Sequence, residues 1–505
     1  MFSKSINYSF LMMLLISTSC SAEDYYWHHG YNRFGVKEHF ADPLAACKSY
    51  YYENLFGGVP HPVSAVPGFV ADNIHIEFVC WSDGYPFVKA RLEGDSCPDG
   101  FALDPVIGRC ESPSNLMEGR QLGAPDSDLS CAGNPINISN GNKFQVEQDF
   151  SGKSLGFNRY YNSISGTWSS SYDMELMIQK NSIALINFDG KRSLFSITDS
   201  GIYPEGTELG SITRTPNGWK YTSADNNVYE FDDSGRLAGV IPYLGIAQTV
   251  TGNIYSAQRI STPQGEVLEV FYTKTVPYLP MRIISGNIEI NYLYDSYSRL
   301  VSANKVTNGV ETKRIYHYED GPTSQLLTGI TDERGIRLST WSYDEQGRAI
   351  SSEHANGSDK TTISYADNYT TVKNALGKIA KYNYQIFSGV RRTISVEGEA
   401  SENCPASNST YTYDQRGQVK TVTDKKGVMT VYEYDDRGRE TSRTEAANTA
   451  FARTTKLTWL PGDLRLISSI AEPTIVTTYE YDTSGRPTKV TNVTESDIVP
   501  PPRVN

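Results

Sequence analysis

Short runs of alternating apolar and polar residues fill the second half of the chain, and Asp-x-x-Gly steps cut them apart. YTYDQRGQVKTVTDKKGVMTVYEYD, Tyr411 to Asp435, shows the plan, with steps at Asp414–Gly417 and Asp424–Gly427. Val428, Thr430, Tyr432 and Tyr434 fall on one face of an extended segment, and Met429, Val431 and Glu433 on the other. Asp hydrogen-bonds the backbone two residues on, and Gly supplies positive φ without steric cost. The stretch therefore predicts two short strands and two tight turns, a β-hairpin module.

The module recurs. Tyrosines at 294, 318, 343, 365, 384, 413, 434 and 481 occupy equivalent places, and YEFDDSGRL from Tyr229 is an earlier copy. The double-length gap after Tyr434 holds Trp459-Leu460 as a degenerate copy. Such a period is the mark of a repeat array. One hairpin is marginal alone, whereas stacked hairpins bury a continuous face and build a twisted, curving sheet. The predicted class is all-β. Two irregularities stand out: Ser298 replaces Gly in YDSYSRL, which predicts a different turn there, and SENCPASN inserts Cys404 before Tyr413.

Composition sharpens this picture. The 505 residues exceed one ordinary core. Tyrosine dominates the aromatics, 34 against 18 Phe and 6 Trp, which suits cross-strand aromatic pairs with hydroxyls kept near polar partners. A net charge of −12 argues against nucleic-acid binding. Near the N-terminus, Lys4, the apolar run Phe10–Ile16 and the small residues before Ala22 read as an export signal cleaved near Ala22. That run is too short to span a bilayer, and no later segment is long enough either. The product is expected in the cell envelope or outside the cell. Ser17, where a lipobox carries Leu, argues against lipidation at Cys20.

Export makes disulfides the default for the other 6 of the 7 cysteines. Cys47, Cys80, Cys97 and Cys110 cluster. The pairing Cys97–Cys110, closing a loop worth about 3 kcal/mol, leaves Cys47–Cys80, one of three connectivities. Cys131 and Cys404 have no assignable pairing. Zinc would need CxxC or HExxH, which the sequence lacks, and the adjacent His28 and His29 would point to opposite faces of a strand. The organisation reads as a signal peptide (1–22), a cysteine-rich domain (23–118), a linker (119–130), a lead-in with the first strands (131–224), the array (225–495) and a Pro-rich tail (496–505). In the lead-in, Lys143-Phe144-Gln145-Val146-Glu147 alternates after an Asn140-Gly141 turn, predicting a half-buried strand.

Tyr343-Asp344-x-x-Gly347-Arg348 and Tyr434-Asp435-x-x-Gly438-Arg439 resemble the YD repeats of the Rhs family. That family is shared by bacterial wall-associated proteins, insecticidal toxin-complex subunits and teneurins. GNPINISNGNKF (133–144), FNRYYNS (157–163) and WSSSYD (168–173) resemble the segment preceding such repeats in bacteria. The resemblance covers about residues 130 to 490. It implies a β-sheet spiralling into a hollow shell that, in many members, encloses a C-terminal toxin released by self-cleavage at a motif with Asp-Pro. Here the chain reads VPPPRVN after the last copy, and its two Asp-Pro pairs, Asp42-Pro43 and Asp104-Pro105, precede the repeats. The expected form is a partial, open shell with an exposed edge strand, completed by a separately encoded chain or holding a toxin fragment.

The aspartates of the copies tempt a catalytic reading. Their place beside Gly in Asp344–Gly347, Asp414–Gly417, Asp435–Gly438 and Asp482–Gly485 favours turn chemistry instead. Arg348, Arg439 and Arg486 are expected to pair with carboxylates or stack on tyrosine rather than to bind an anionic glycan. No G-x-S-x-G, P-loop or metal motif occurs, and no cofactor is expected. The predicted role is a non-enzymatic exported scaffold, with glycan binding or adhesion as the alternative.

Overall fold

The structure is a computed structural model. It describes residues 119–125, 130–178, 181–254, 257–274, 278–321, 324–387, 389–398, 408–462 and 464–494, with short segments between 26 and 111. The signal peptide, Cys404, the Pro-rich tail and the side chains of Cys80, Cys97 and Cys110 lie outside the described residues. Cys47 is disulfide-bonded, to a partner outside the described side chains. Among the described residues, no helix is long and apolar enough to cross a membrane.

One antiparallel sheet of 26 strands, from Ser211–Thr215 to Pro487–Thr494, follows chain order without a crossover. Its first two strands precede the point where the Tyr-Asp pattern begins. Every connection is a hairpin, so each strand meets only its sequence neighbours, as the stacked-module plan requires. Bulges sit where Tyr meets Asp, between Leu293 and Tyr294, Ser342 and Tyr343, and Glu433 and Tyr434. These recurring bulges sharpen the local twist and bend the sheet.

The bending carries the sheet past one full lap. Asn226 Nδ2 donates to Arg465 O at 3.3 Å and Tyr243 Oη to Gly485 O at 2.6 Å, contacts 239 and 242 positions apart. Arg416 likewise reaches Gly206 O and Glu208 O. The later turns thus stack on the rim of the earlier lap, while the strand ladder stays a spiral with two terminal strands.

Inside the first lap runs a three-stranded sheet, Phe144–Ser151, Gly156–Asn162 and Thr167–Ser170, here termed the spindle. A four-stranded sheet from Glu175–Ile178 to Gly201–Pro204 links it to the wound sheet. The buried core lies between spindle and wall: Phe157, Tyr161, Ile260, Leu268, Ile283, Ile290 and Trp341 are all at most 2% exposed. Residues 119–125 are not a loose linker, since Leu122 is 5% exposed and Gln121 binds Ser139 and the Arg391 carbonyl. Beyond residue 408 the described hydrophobic side chains are half-buried or exposed, because the spindle does not reach them.

Gly235 marks the junction of linker sheet and wall. Its φ is 87°, its carbonyl accepts from Leu176 N at 2.8 Å, and a Cβ there would lie 1.9 Å from Leu176 O. Gly427 has φ 76° with nothing within 4 Å of an added Cβ. Gly427→Ala should cost about 1 kcal/mol for the left-handed backbone alone. Gly235→Ala should cost more than about 3 kcal/mol, because backbone must also move. Urea midpoints of the two variants check this; equal losses would show that the junction does not bear on the fold.

Candidate functional site: a wall wound on a polar spindle

The repeat turns share one geometry. At Asp435, Oδ1 accepts from Arg437 N and Arg439 N at 3.0 and 2.9 Å, Gly438 N donates to Asp435 O, and Arg439 Nε reaches Oδ2 at 2.7 Å. Asp344 holds Gln346 N, Arg348 N and Arg348 Nε in the same way. Asp414 takes Arg416 N and Gln418 N, and Asp482 takes Ser484 N and Arg486 N. Gly347, Gly417, Gly438 and Gly485 all have φ between 72° and 84°. Burial alone would raise the Asp435 carboxyl, but the Arg439 backbone N–H and guanidinium hold it below its ordinary value. The turn at Ser298 corrects the expectation of a different type: Ser298 takes φ 61° and Asp295 makes the same bonds to Tyr297 N and Arg299 N.

The arginines reach forward and the tyrosines back. Arg348 lies 4.7 Å over the ring of Tyr365, and Arg439 5.5 Å over Trp459. Tyr365 Oη donates to Ala349 O, Tyr434 to Val419 O and Tyr481 to Ile467 O, at 2.6 to 2.9 Å. Each hydroxyl grips the carbonyl at the base of the preceding hairpin and so fixes one module on the last. In the degenerate copy, Trp459 Nε1 does the same to Glu440 O at 2.8 Å. These side chains are occupied with holding the wall, which leaves no carboxylate of the four turns poised for chemistry.

The residues that sequence reasoning missed lie on the spindle. Arg159 is 2% exposed; its Nη2 donates to Asp149 Oδ1 at 2.9 Å and to Tyr316 Oη at 2.6 Å. Its guanidinium lies 4.8 to 5.2 Å from the rings of Trp168, Tyr292 and Tyr316. Glu147 pairs with Arg314 of the wall, and Lys305 Nζ donates to Asp149 O. Around the lap the wall keeps contacting the spindle and the residues leading into it. Tyr161 Oη bridges Gln325 O and Leu327 N, Trp341 Nε1 donates to Asn134 O, and Ile138 O accepts from Thr370 and Tyr384. The alternation at Lys143–Glu147 did make a strand, but Lys143 and Glu147 are buried while Val146 is 45% exposed. The available signal was the arginine in FNRYYNS, a charge flanked by aromatics on a strand.

Among the described residues there is no cluster of three or more side chains able to hold a metal. An opening of about 380 Å³ is lined by Lys191, Arg391 and Arg392 with Tyr413 and Tyr434. What the geometry does is brace, since the wall holds the charged groups of the spindle.

Comparison with known proteins agrees with the repeat pattern. The RHS Repeat family matches residues 406–450, and a domain of unknown function, DUF6531, matches residues 133–195, the lead-in and spindle. Double-stranded DNA deaminase toxin A of Burkholderia cenocepacia (strain H111) is 23% identical over 338 residues, 60% of this chain and 19% of that protein. A crystal structure of TcdB2-TccC3 without its hypervariable C-terminal region matches 70% of this chain and 21% of that one, at 11% identity and a TM-score of 0.34. The Photorhabdus luminescens Tc holotoxin pore matches 83% of this chain and 24% of that one, at 12% identity and a TM-score of 0.28. The chain spans about a fifth of the length of these relatives. The chain thus carries repeats of the Rhs/YD type.

Proposed function

We propose that this chain is an exported, non-enzymatic wall-forming scaffold of a toxin-related Rhs system, acting with a further polypeptide: a toxin fragment held inside, or a chain that continues the wall. The observation that carries this is the contrast along one sheet. From Ser211 to Gly398 the inner face is buried on the spindle, whereas from Asn408 to Thr494 equivalent positions such as Tyr411, Tyr432 and Tyr479 are half-buried. The family match and the toxin relative support the setting. The absence of a poised carboxylate in the four turns supports bracing over catalysis.

The test is recovery of the protein from producing cells by native affinity capture, with mass mapping of every co-eluting polypeptide. The expected result is a stoichiometric second polypeptide, or further repeats in covalent continuity. The same capture should protect Tyr411, Tyr432 and Tyr479 from tyrosine-directed labelling relative to the isolated chain. A chain recovered alone, with those tyrosines equally reactive in both states, would overturn the proposal.

A further inference from the structure

Successive hairpin connections of the wound sheet fall on alternate rims, because each antiparallel strand reverses the chain. The turns at Asp414–Gly417, Asp435–Gly438 and Asp482–Gly485 therefore share one rim with the connection at 460–466. They rest on the opposite rim of the first lap. Arg416 Nη2 donates to Glu208 O at 3.1 Å, and a Cβ on Gly438 would lie 2.6 Å from Leu209. Asn226 holds the Arg465 backbone from both sides, its Oδ1 accepting from N at 2.6 Å and its Nδ2 donating to O at 3.3 Å. Tyr243 Oη donates to Gly485 O, and a Cβ on Gly485 would lie 3.3 Å from the Tyr243 ring. The first-lap connections at 205–210, 223–227 and 242–247 thus each seat the backbone of a later turn. At two of these seats glycine is needed for the close approach as well as for the positive φ of the turn.

The same rim runs on through the connections at 286–287, 308–309, 332–336 and 374–378, and among the described residues no later turn rests on it there. Val310, Ile336 and Leu376, at or beside these tips, are 66%, 44% and 93% exposed. An added Cβ on Gly286, Gly309 or Gly335 would meet nothing within 4 Å, unlike one on Gly438 or Gly485. A lone exposed apolar side chain is ordinary, but these three continue a rim already used for seating. We propose that this bare rim is the docking surface for a polypeptide that continues the wall. Its Asp-x-x-Gly turns would seat on Val310, Ile336 and Leu376 as Gly438 and Gly485 seat on Leu209 and Tyr243. The inference rests on the scaffold reading and commits it to one partner and one surface. A toxin fragment held inside would instead meet the inner face at Tyr411 and Tyr432.

The test is photo-cross-linking in the producing cells, with p-benzoylphenylalanine in place of Val310, of Leu376 or, as a control, of Tyr243. The control should link to residues 482–486 of the same chain. The two rim positions should link to peptides that carry an Asp-x-x-Gly turn and are absent from residues 1–505. Val310→Asp with Leu376→Asp should lower co-capture of the second polypeptide at least tenfold and leave the urea midpoint of the isolated chain unchanged, since both side chains are exposed. Rim links to a peptide without such a turn, to this chain's own sequence or to lipid would overturn the proposal. So would a rim that links to nothing while the Tyr243 control links. If a second polypeptide is still captured in those cases, the scaffold reading stands and only the rim assignment falls; if none is captured, both fall.

Discussion

Arg159→Met should destabilise the protein by about 3–5 kcal/mol, the range for removing one partner of a buried ion pair. Arg159 and Asp149 are 2% and 9% exposed, so the orphaned carboxylate would keep its desolvation and lose its fixed countercharge. Tyr292 Oη would still donate to Asp149, but Tyr316 would lose the guanidinium that binds it, and three aromatic rings their cation. Arg159→Met with Asp149→Asn should recover part of the loss, because two neutral groups need no pairing. Arg214→Met is the control: its partner Asp233 is 70% exposed, and such a surface pair contributes under about 1 kcal/mol. Urea midpoints of the three variants decide the matter. If Arg159→Met behaves like Arg214→Met, the spindle charge does not hold the wall.

The contrast between those two arginines marks what could be read along the chain. The Asp-x-x-Gly turns were legible because their bonds are local: Asp435 meets Arg437 and Arg439, both within four positions. The tyrosines were legible as sheet residues but not as clamps, since the carbonyl that Tyr434 grips is 15 positions back. Ser298 misled because its left-handed turn was judged from the residue type, while the flanking Asp295 bonds already impose that backbone. The spindle and the residues leading into it were the least legible part. Asn134 meets Ser339 and Ser352 across 205 and 218 positions, a distance over which no periodicity carries information. Alternation at Lys143–Glu147 revealed a strand, yet gave no sign that the face carrying Lys143 and Glu147 would be buried. The wall covers that face and supplies Arg314 and Trp341 as partners.

Acidification from pH 7 to pH 5 should raise the thermal midpoint, the reverse of the usual trend for carboxylates. Asp173, where the spindle turns into the linker sheet, is pushed up from 3.8 to about 6 by burial, which outweighs its hydrogen bonds from Ser170. Between those two values the folded chain binds more protons than the unfolded one, so stability falls as pH rises and the penalty is complete above about 6. A shift of about two units corresponds to about 3 kcal/mol. Glu175 and Asp189 are raised by burial too and act in the same direction. The acid limb has the opposite sign. The Arg337 guanidinium holds Glu319 down from 4.5 to about 2, a contribution present above 4.5 and lost as pH falls through 2. The expected profile is therefore a maximum near pH 4, where the two limbs meet. Asp173→Asn should raise the midpoint at pH 7, leave it nearly unchanged at pH 4, and make the slope between them shallower. A wild-type midpoint that falls steadily from pH 7 to pH 5, or a variant with the wild-type slope, would show that the carboxylate reaches water and that the junction is not dry.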